Sequence, residues 1–243
     1  MRRKLLAAFL IVAALVWGHA GADPFLHAPS GVIGEEPTQA ATDRGAFDFT
    51  DYGFFAQTYR IAPLAAYDVK GRVLHKRRYY ADKYSGDLIP FDLALGWRHL
   101  SDRSLLHEFF EFDHRADTGG GRFLWMNWKT GEAGAVRPPP AGIGDPMTQI
   151  SNNHLIPSTK TVFRQLGAIK AGDLVRLKGY LVKVTDATRP DWEWKSSLTR
   201  TDTSTHWGGN NTSCETLFVT SIESILSVEP LRTAPMPEWF WPL

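Results

Sequence analysis

A long apolar strand pattern with a glycine at its centre constrains the fold of this chain more than any other feature. A turn signal at Gly172 and Asp173 precedes it, and residues 174–184 then read LVRLKGYLVKV. Gly179 falls in the middle of this segment, where a β-bulge or a sharp bend is expected because glycine has no side chain to pack. The pattern therefore predicts one long strand that bends, as the first strand of a small barrel does.

The segments on either side of this strand complete the prediction for the C-terminal half. Upstream, STKTVFRQLG predicts a short helix with Ser158 as its N-cap and Gly167 at its end. The apolar face of this helix holds Val162, Phe163 and Leu166. Downstream, DWEWKSSLTR and CETLFVTSIESIL predict two further strands. We expect residues 146–229 to form a small OB-like β-barrel, and any barrel of similar strand count fits the pattern nearly as well.

The N-terminal half predicts a mixture of helix and strand. Apolar and polar residues alternate with a period of two at 67–73, which predicts a half-buried strand. RFLWMNW predicts another strand, and DRSLLHEFF predicts a helical turn with Ser101 as its N-cap. DLIPFDLALGW is interrupted by Pro90 and predicts no definite state. The Pro/Gly-rich segment at 131–146 is the best internal boundary, so we expect an α+β region at 51–145 and a mainly β (α+β) chain overall.

The first residues have the layout of a secretory signal peptide. The basic start MRRK precedes an apolar run at 5–17, which is shorter than the ~20 residues that a membrane span needs. The sequence AGA then suits a signal peptidase, so we expect residues 1–22 to be a signal peptide that is cleaved after Ala22. The mature protein is then periplasmic or secreted. The alternative is an uncleaved segment that anchors the N-terminus in the membrane.

The remaining segments and the charge limit the kinds of partner. Residues 23–50 are rich in Ala, Gly, Pro and Thr without a period, which predicts a loose leader, and residues 230–243 form an aromatic tail. The 27 basic and 26 acidic residues give a formal net charge of +1, which argues against a nucleic-acid partner. Membrane association is expected only through an uncleaved N-terminal segment or through the tail, where Trp suits a membrane interface.

Five sequence blocks occur in a fixed order, namely FDLALGW with HLSD, SNNHLIP, GDLVRLKGYLVKV, WEWKSSLTRTD and SCE. Together they resemble a family of uncharacterised bacterial exported or membrane-associated proteins over roughly residues 54–228. This chain departs from the family pattern at Asn153, where the family has Met, and in THWGGNNTS, where the link before Cys214 is shorter in the family. The resemblance implies an exported location and a shared architecture, and it assigns no activity and no catalytic residues.

The single cysteine is the first candidate functional residue. One cysteine forms no intramolecular disulfide, so Cys214 is buried, reactive or paired with another molecule. His154 is a candidate base for its thiol, and Asn152 is a candidate to orient the imidazole, which are the residue types of a Cys-His-Asn hydrolase. Their order along the chain differs from the papain pattern, in which the cysteine comes first. Burial is also the common fate of a free cysteine.

Polar and aromatic residues near strand ends are a second candidate group. Arg200, Asp202 and Glu215 predict either a structural ion pair or a polar binding rim at a barrel mouth. Three tryptophans suit either stacking on sugar rings or ordinary core packing. These are Trp192, Trp194 and Trp207.

A third candidate is a metal site in HEFFEFDH. If this segment is a helix, His107, Glu111 and His114 share one face, which would suit zinc. If it is a strand, the two histidines lie on opposite faces and the site is lost. We expect no metal and no other cofactor.

We expect an exported, non-catalytic envelope protein that binds or scaffolds an unknown ligand, because polar residues at strand ends commonly carry function. The predicted binding residues are Asn152, Asn153, His154, Arg200, Asp202, Trp207 and Glu215. The expected partner is an unknown envelope protein or cell-wall glycan. One alternative is a hydrolase that depends on Cys214 and His154, and a second is a cell-wall glycan-binding module.

Overall fold

A computed structural model describes residues 23–52, 56–80, 87–116, 122–131, 134–136, 140, 142–198 and 214–225. Ten strands lie in these residues: β1 Thr38–Ala40, β2 Phe47–Thr50, β3 Thr58–Arg78, β4 Phe91–Gly96, β5 Phe110–Ala116, β6 Arg122–Trp128, β7 Ile150–Pro157, β8 Leu174–Asp186, β9 Arg189–Lys195 and β10 Cys214–Ser224. They also contain two α-helices, α1 Arg103–Phe109 and α2 Lys160–Ala168, and two 3-10 turns at Arg98–Ser101 and Pro146–Gln149. The prediction of a mainly β chain is confirmed.

Eight of these strands form one sheet, in which β3 lies beside β4, β4 beside β7, β7 beside β10 and β10 beside β8. β8 pairs with β3 as well. β7 and β10 run parallel, whereas the other pairs in this sheet are antiparallel. β1 and β2 pair with β3, and β9 pairs with β8. β3 and β4, from the predicted N-terminal α+β region, therefore share a sheet with the strands predicted for the barrel.

Gly179 lies where two strands approach each other most closely. A Cβ atom at this position would stand 1.9 Å from the main-chain oxygen of Phe218 on β10. The pairing of β8 with β10 is irregular between Val219 and Ser221, on the partner strand. The glycine is thus needed for close backbone approach, and the bulge predicted at Gly179 lies opposite it on β10.

Helix α2 covers one face of the sheet. The predicted apolar residues Val162, Phe163 and Leu166 are buried, and they pack in one core cluster with Leu155 and Leu217. The N-cap is Thr159, whose hydroxyl accepts a hydrogen bond from the backbone N–H of Val162, and the helix continues through Gly167 to Ala168. Ser158, the predicted cap, directly precedes the actual cap.

The segment HEFFEFDH changes from helix to strand. Helix α1 ends at Phe109 and β5 begins at Phe110, so His107 lies on the helix and His114 lies on the strand. Asp102 caps α1 by accepting from the N–H of Ser104, whereas the predicted cap, Ser101, is buried one residue earlier. The helical face predicted for a zinc site is therefore not formed.

The stretch 23–50, predicted as a loose leader, contains strands β1 and β2 and contributes Phe25 and Ile33 to the core. The predicted signal peptide at 1–22 and the aromatic tail at 230–243 lie outside the described residues. Among the helices that the structure describes, none has the length and apolar character needed to cross a bilayer.

Candidate functional site

Strand register brings Cys214 and His154 to one face of the sheet. In the parallel pair of β7 and β10, Cys214 lies opposite Asn152, and Thr216 lies opposite His154. Side chains of one strand alternate between faces and paired residues share a face, so Asn152, His154 and Cys214 point the same way. Cys214 is half-buried and begins its strand. The predicted cysteine, histidine and asparagine are therefore brought together.

Asp92 completes this cluster from the next strand. It lies opposite His154 in the antiparallel pair of β4 and β7, and both side chains are buried. The Nδ1 atom of His154 donates to Oδ1 of Asp92 over 2.8 Å. This bond leaves Nε2 of the imidazole for the sulfur. A cysteine, a histidine and an aspartate therefore lie on three adjacent strands in the order of a nucleophile, a base and an orienting carboxylate.

The charges around Asp92 favour an ionised site. Burial opposes ionisation of Asp92, but His154 and then Arg122, whose Nη1 lies 3.6 Å from Oδ1, lower the pKa of this carboxyl. Burial likewise opposes protonation of His154, but Asp92 raises its pKa to about 10, and Cys214 raises it further through charge and hydrogen bonding. At neutral pH His154 is therefore a buried imidazolium between a carboxylate and the cysteine.

Asn152 contacts the sulfur and not the imidazole. Its Nδ2 atom donates to Sγ of Cys214 over 3.4 Å, and its Oδ1 atom lies 2.8 Å from Nε2 of His114. The predicted role of orienting the ring of His154 is filled by Asp92 instead. Asn152 is thus placed to stabilise a thiolate.

Two histidines from other elements extend the cluster. His114 on β5 is fully buried, and its Nδ1 atom lies 2.6 Å from Nδ1 of His75 on β3. Burial lowers the pKa of His114 to about 4, and burial also lowers the pKa of His75. Both rings are therefore neutral at pH 7, in contrast to His154.

The predicted binding residues divide between the two faces of the sheet and the undescribed part of the chain. Asn153 points away from the cysteine, and its Nδ2 atom donates to Oγ of Ser151 and to the main-chain oxygen of Leu93. Glu215 pairs in register with Asn153 and is buried. Asn152, Asn153 and His154 are all buried, so they offer little surface to a large ligand. Arg200, Asp202 and Trp207 lie outside the described residues.

Aromatic side chains pack around the site. Trp194 meets the ring of His154 edge-on at a centroid distance of 5.1 Å, and Trp192 packs on Tyr59 at 6.0 Å. The guanidinium of Arg122 lies 3.7 Å above the ring of Tyr79. Two of the three tryptophans predicted as sugar platforms thus pack against core residues.

Within the described ranges, no group of three or more His, Cys, Asp or Glu residues is arranged to hold a metal ion. Comparisons with protein-family models, with curated proteins and with solved structures gave no significant match. The site therefore has to be interpreted from its own chemistry, and the family resemblance of the sequence blocks stays a prediction.

Sequence reasoning missed Asp92, His114, His75 and Arg122 as parts of this site. Asp92 lies directly after Pro90-Phe91 in the segment whose state could not be predicted. One signal was available: an acidic residue within the apolar run FDLALGW needs a buried partner, which in the fold is His154 on β7.

Proposed function

We propose that the protein is a cysteine-dependent hydrolase that acts by acyl transfer. Cys214 is the nucleophile, His154 is the acid and base, and Asp92 is a positioning residue that holds the imidazole. The observation that carries this proposal is the placement of Cys214, His154 and Asp92 on three adjacent strands, with the imidazole bonded to the carboxylate through Nδ1.

In this proposal Cys214 attacks as a thiolate, and the positive charge of the imidazolium of His154 beside it favours this ionised form. The thiolate attacks the carbonyl carbon of an ester or amide, and the electron pair of the carbonyl double bond moves to its oxygen. When the tetrahedral intermediate collapses, the bond to the leaving group breaks and His154 gives this group its Nε2 proton. The product is a thioester on Cys214.

Hydrolysis of the thioester restores the enzyme. The neutral His154 takes a proton from a water molecule as the water oxygen attacks the thioester carbonyl. The carbon–sulfur bond then breaks, the carboxylic acid leaves, and the thiolate and the imidazolium are formed again. Asp92 keeps its negative charge throughout: the imidazolium of His154 lowers its pKa in the resting state, and in the thioester state the hydrogen bond from His154 and the cation Arg122 remain.

We also infer that β3, β4, β7, β8 and β10 form a small closed barrel with OB-like order. The supporting observation is that β8 pairs with β10 on one side and with β3 on the other, so the strand pairings return to their starting strand. The parallel pairing of β7 with β10 and the helix between β7 and β8 fit this order. In such a barrel, Cys214 is the first residue of β10, which runs parallel to β7, the strand that carries His154.

The location in the cell envelope remains a proposal that rests on the signal-peptide pattern at 1–22. The non-catalytic binding function predicted from the sequence depends largely on Arg200, Asp202 and Trp207, outside the described residues. If the hydrolase test fails, the non-catalytic binding function is the favoured alternative.

The direct test is acylation of Cys214 by p-nitrophenyl acetate. We expect a burst of nitrophenolate and an acetyl group on the peptide that contains Cys214, identified by mass spectrometry. Cys214→Ser removes the cysteine thioester, and His154→Gln lowers the acylation rate by about a hundredfold to ten-thousandfold. His27→Gln is the matched control, because His27 is exposed and lies outside the site.

Two results would reject the proposal. One is an acetyl group on residues other than Cys214. The other is alkylation of Cys214 that is slower in the folded protein than in the denatured protein at every pH, which would make Cys214 a buried core residue.

A further inference from the structure

A line of hydrogen bonds leads from the sulfur of Cys214 to His75, and the catalytic steps above do not use it. Asn152 Nδ2 lies 3.4 Å from Sγ, Asn152 Oδ1 lies 2.8 Å from His114 Nε2, and His114 Nδ1 lies 2.6 Å from His75 Nδ1. The line joins β10, β7, β5 and β3. Because β5 belongs to the two-stranded sheet, the second sheet reaches the cysteine through His114.

The hydrogen bond between Cys214 and Asn152 determines which atom is the donor in the next two hydrogen bonds, Asn152–His114 and His114–His75. A thiolate only accepts, so the amide nitrogen of Asn152 donates to it and the amide oxygen faces His114. That oxygen only accepts, so Nε2 of His114 carries a proton. A neutral His114 then has a bare Nδ1 atom, which accepts from a protonated Nδ1 of His75. In each of the three hydrogen bonds, the donor is therefore the residue farther from the sulfur along the line.

We propose that His114 and His75 are positioning residues that hold the Asn152 amide with its N–H on the Cys214 sulfur, so that the thiolate is stabilised. The inference deepens the proposed function, since the thiolate it stabilises is the proposed nucleophile. An amide does not carry protons along such a line, so the line orients Asn152 and is not a proton path. Without His114, the amide can turn its oxygen to the sulfur, and two electron-rich atoms then face each other.

The surroundings of His114 keep it in the state that this role requires. Its ring faces Asp92 on β4, His154 on β7 and His75 on β3, and its main-chain oxygen accepts from the guanidinium of Arg77. Burial and the two histidines favour the neutral ring, whereas Asp92 and the hydrogen bond to Asn152 favour the charged ring. The neutral form prevails at pH 7, so the bare Nδ1 atom stays available to His75.

The test measures the reaction of Cys214 with iodoacetamide across a pH series, using the full chain and its variants. His114→Leu removes the donor to Asn152, and we expect the apparent thiol pKa to rise by about one unit, a tenfold loss of thiolate. His114→Gln retains an N–H donor at a similar distance, so it should restore most of the wild-type value. Asn152→Ala should give the same rise, and adding His114→Leu to it should change nothing more.

A second measurement needs no variant beyond those used for assignment. In the ¹⁵N spectrum of histidine-labelled protein, His114 should be the tautomer protonated at Nε2, and His75 should be the tautomer protonated at Nδ1. The opposite tautomer at His114 would overturn the inference even if the variants fail to fold. An unchanged thiol pKa in a folded His114→Leu variant would also overturn it.

These outcomes separate the inference from the proposed function. If the thiol pKa depends on His114 and Asn152 but no ester is turned over, the hydrolase proposal fails and the positioning role stands. If the ester is turned over through Cys214 but the thiol pKa is unchanged in His114→Leu, or His114 of the wild type carries its proton on Nδ1, the positioning role fails and the hydrolase proposal stands.

Discussion

Asp92 is the buried anion around which the candidate site is arranged. Its side chain is fully buried, and its Oδ1 atom lies 2.8 Å from His154 and 3.6 Å from Arg122. A buried carboxylate that loses its cation is strongly destabilising, so the two cations serve folding as well as chemistry. Any loss of activity in a variant of these residues must therefore be compared with its loss of stability.

The site contains neutral histidines and one charged histidine, and each makes the free energy of unfolding depend on pH. The sign of this dependence follows from the direction of each pKa shift. The pKa of His114 is lowered from 6.5 to about 4, so the unfolded chain binds this proton at a higher pH than the folded chain does. Stability therefore falls as the pH decreases from 6.5 towards 4, by up to roughly 3 kcal/mol for His114 alone. His75 adds a fall of the same sign. His154, with a raised pKa, contributes stability that is fully present below 6.5 and is lost progressively as the pH rises from 6.5 to about 10.

Urea unfolding of the wild type and of His114→Gln at several pH values checks this prediction. We expect the variant to lose less stability than the wild type between about pH 6.5 and pH 4.5, where carboxyl groups with lowered pKa values are still ionised. His27→Gln, at an exposed site, should follow the wild-type curve. Parallel curves for wild type and His114→Gln would mean that His114 is not buried in the neutral form.

At the residue scale, the sequence predicted part of this site. Cys214, His154 and Asn152 were recognised from their chemistry, and the register of β7 and β10 places them together. The role predicted for Asn152, to orient the imidazole of His154, is filled by Asp92, because the role depends on which neighbour lies within hydrogen-bond distance. Asp92 was missed for two reasons. Pro90 interrupts the apolar pattern, so strand β4 was not predicted, and the role of Asp92 depends on the pairing of β4 with a strand about sixty residues later.

At the scale of single elements, local patterns predicted the helices and strands well and their first residues less well. The pairs Ser158-Thr159 and Ser101-Asp102 each offer two capping side chains in succession, and the backbone geometry selects the second in both cases. HEFFEFDH suits a helix and a strand equally, and the structure uses it for both. Propensity alone does not decide such cases, because tertiary packing does.

The close approach of β8 and β10 depends on one glycine. In Gly179→Ala the new Cβ atom meets the main-chain oxygen of Phe218 at 1.9 Å, so one of the two strands has to move. We expect a loss of about 3 kcal/mol or more in the free energy of unfolding, since both colliding groups are attached to paired backbone. Urea denaturation gives this value. Gly45→Ala is the matched control, because no atom lies within 4 Å of its added Cβ, and it should change stability by less than about 0.5 kcal/mol.

The same pair of variants tests the pairing itself. If Gly179→Ala unfolds at the same urea concentration as Gly45→Ala, β8 and β10 do not approach as closely as the structure has them. That outcome would also weaken the inferred barrel, because β8 is the strand that joins β10 to β3.

At the scale of the whole molecule, the order of strands in the sheet could not be predicted from the sequence. Strands β8 and β10 were both predicted, but the pairing of β8 with β3 joins residues more than a hundred positions apart. Periodicity assigns a residue to a face of its own strand, and it carries no information on which distant strand lies beside it. The stretch 23–50 was predicted as loose because its composition has no period, yet β1 and β2 are ordered by pairing with β3, the strand that follows them in the chain.

Arg72 on β3 contacts the part of the N-terminal segment that precedes β1, and it joins distant parts of the chain. Its side chain is fully buried and donates to four main-chain oxygens, those of Pro29, Gly31, Ser101 and Gly172, at 2.6 to 2.9 Å. Burial lowers its pKa to about 10, so it remains a cation at neutral pH. One guanidinium thus ties three separate segments to β3.

Replacing Arg72 should therefore make the N-terminal segment unfold locally while the main sheet stays folded. In Arg72→Met four buried carbonyl groups lose a charged donor, and we expect a loss of about 3 to 5 kcal/mol in urea unfolding. Hydrogen exchange should rise most at residues 29–36, because Arg72 holds the start of this segment through the main-chain oxygens of Pro29 and Gly31, whereas Ile33 keeps its own hydrogen bonds with Arg98 and Ser101. Arg60→Met, at an exposed ion pair with Asp48, is the control and should stay within about 0.5 kcal/mol of the wild type. Equal exchange at 29–36 in both variants would show that Arg72 is not what orders this segment, and that its contacts with Pro29 and Gly31 contribute little to the fold.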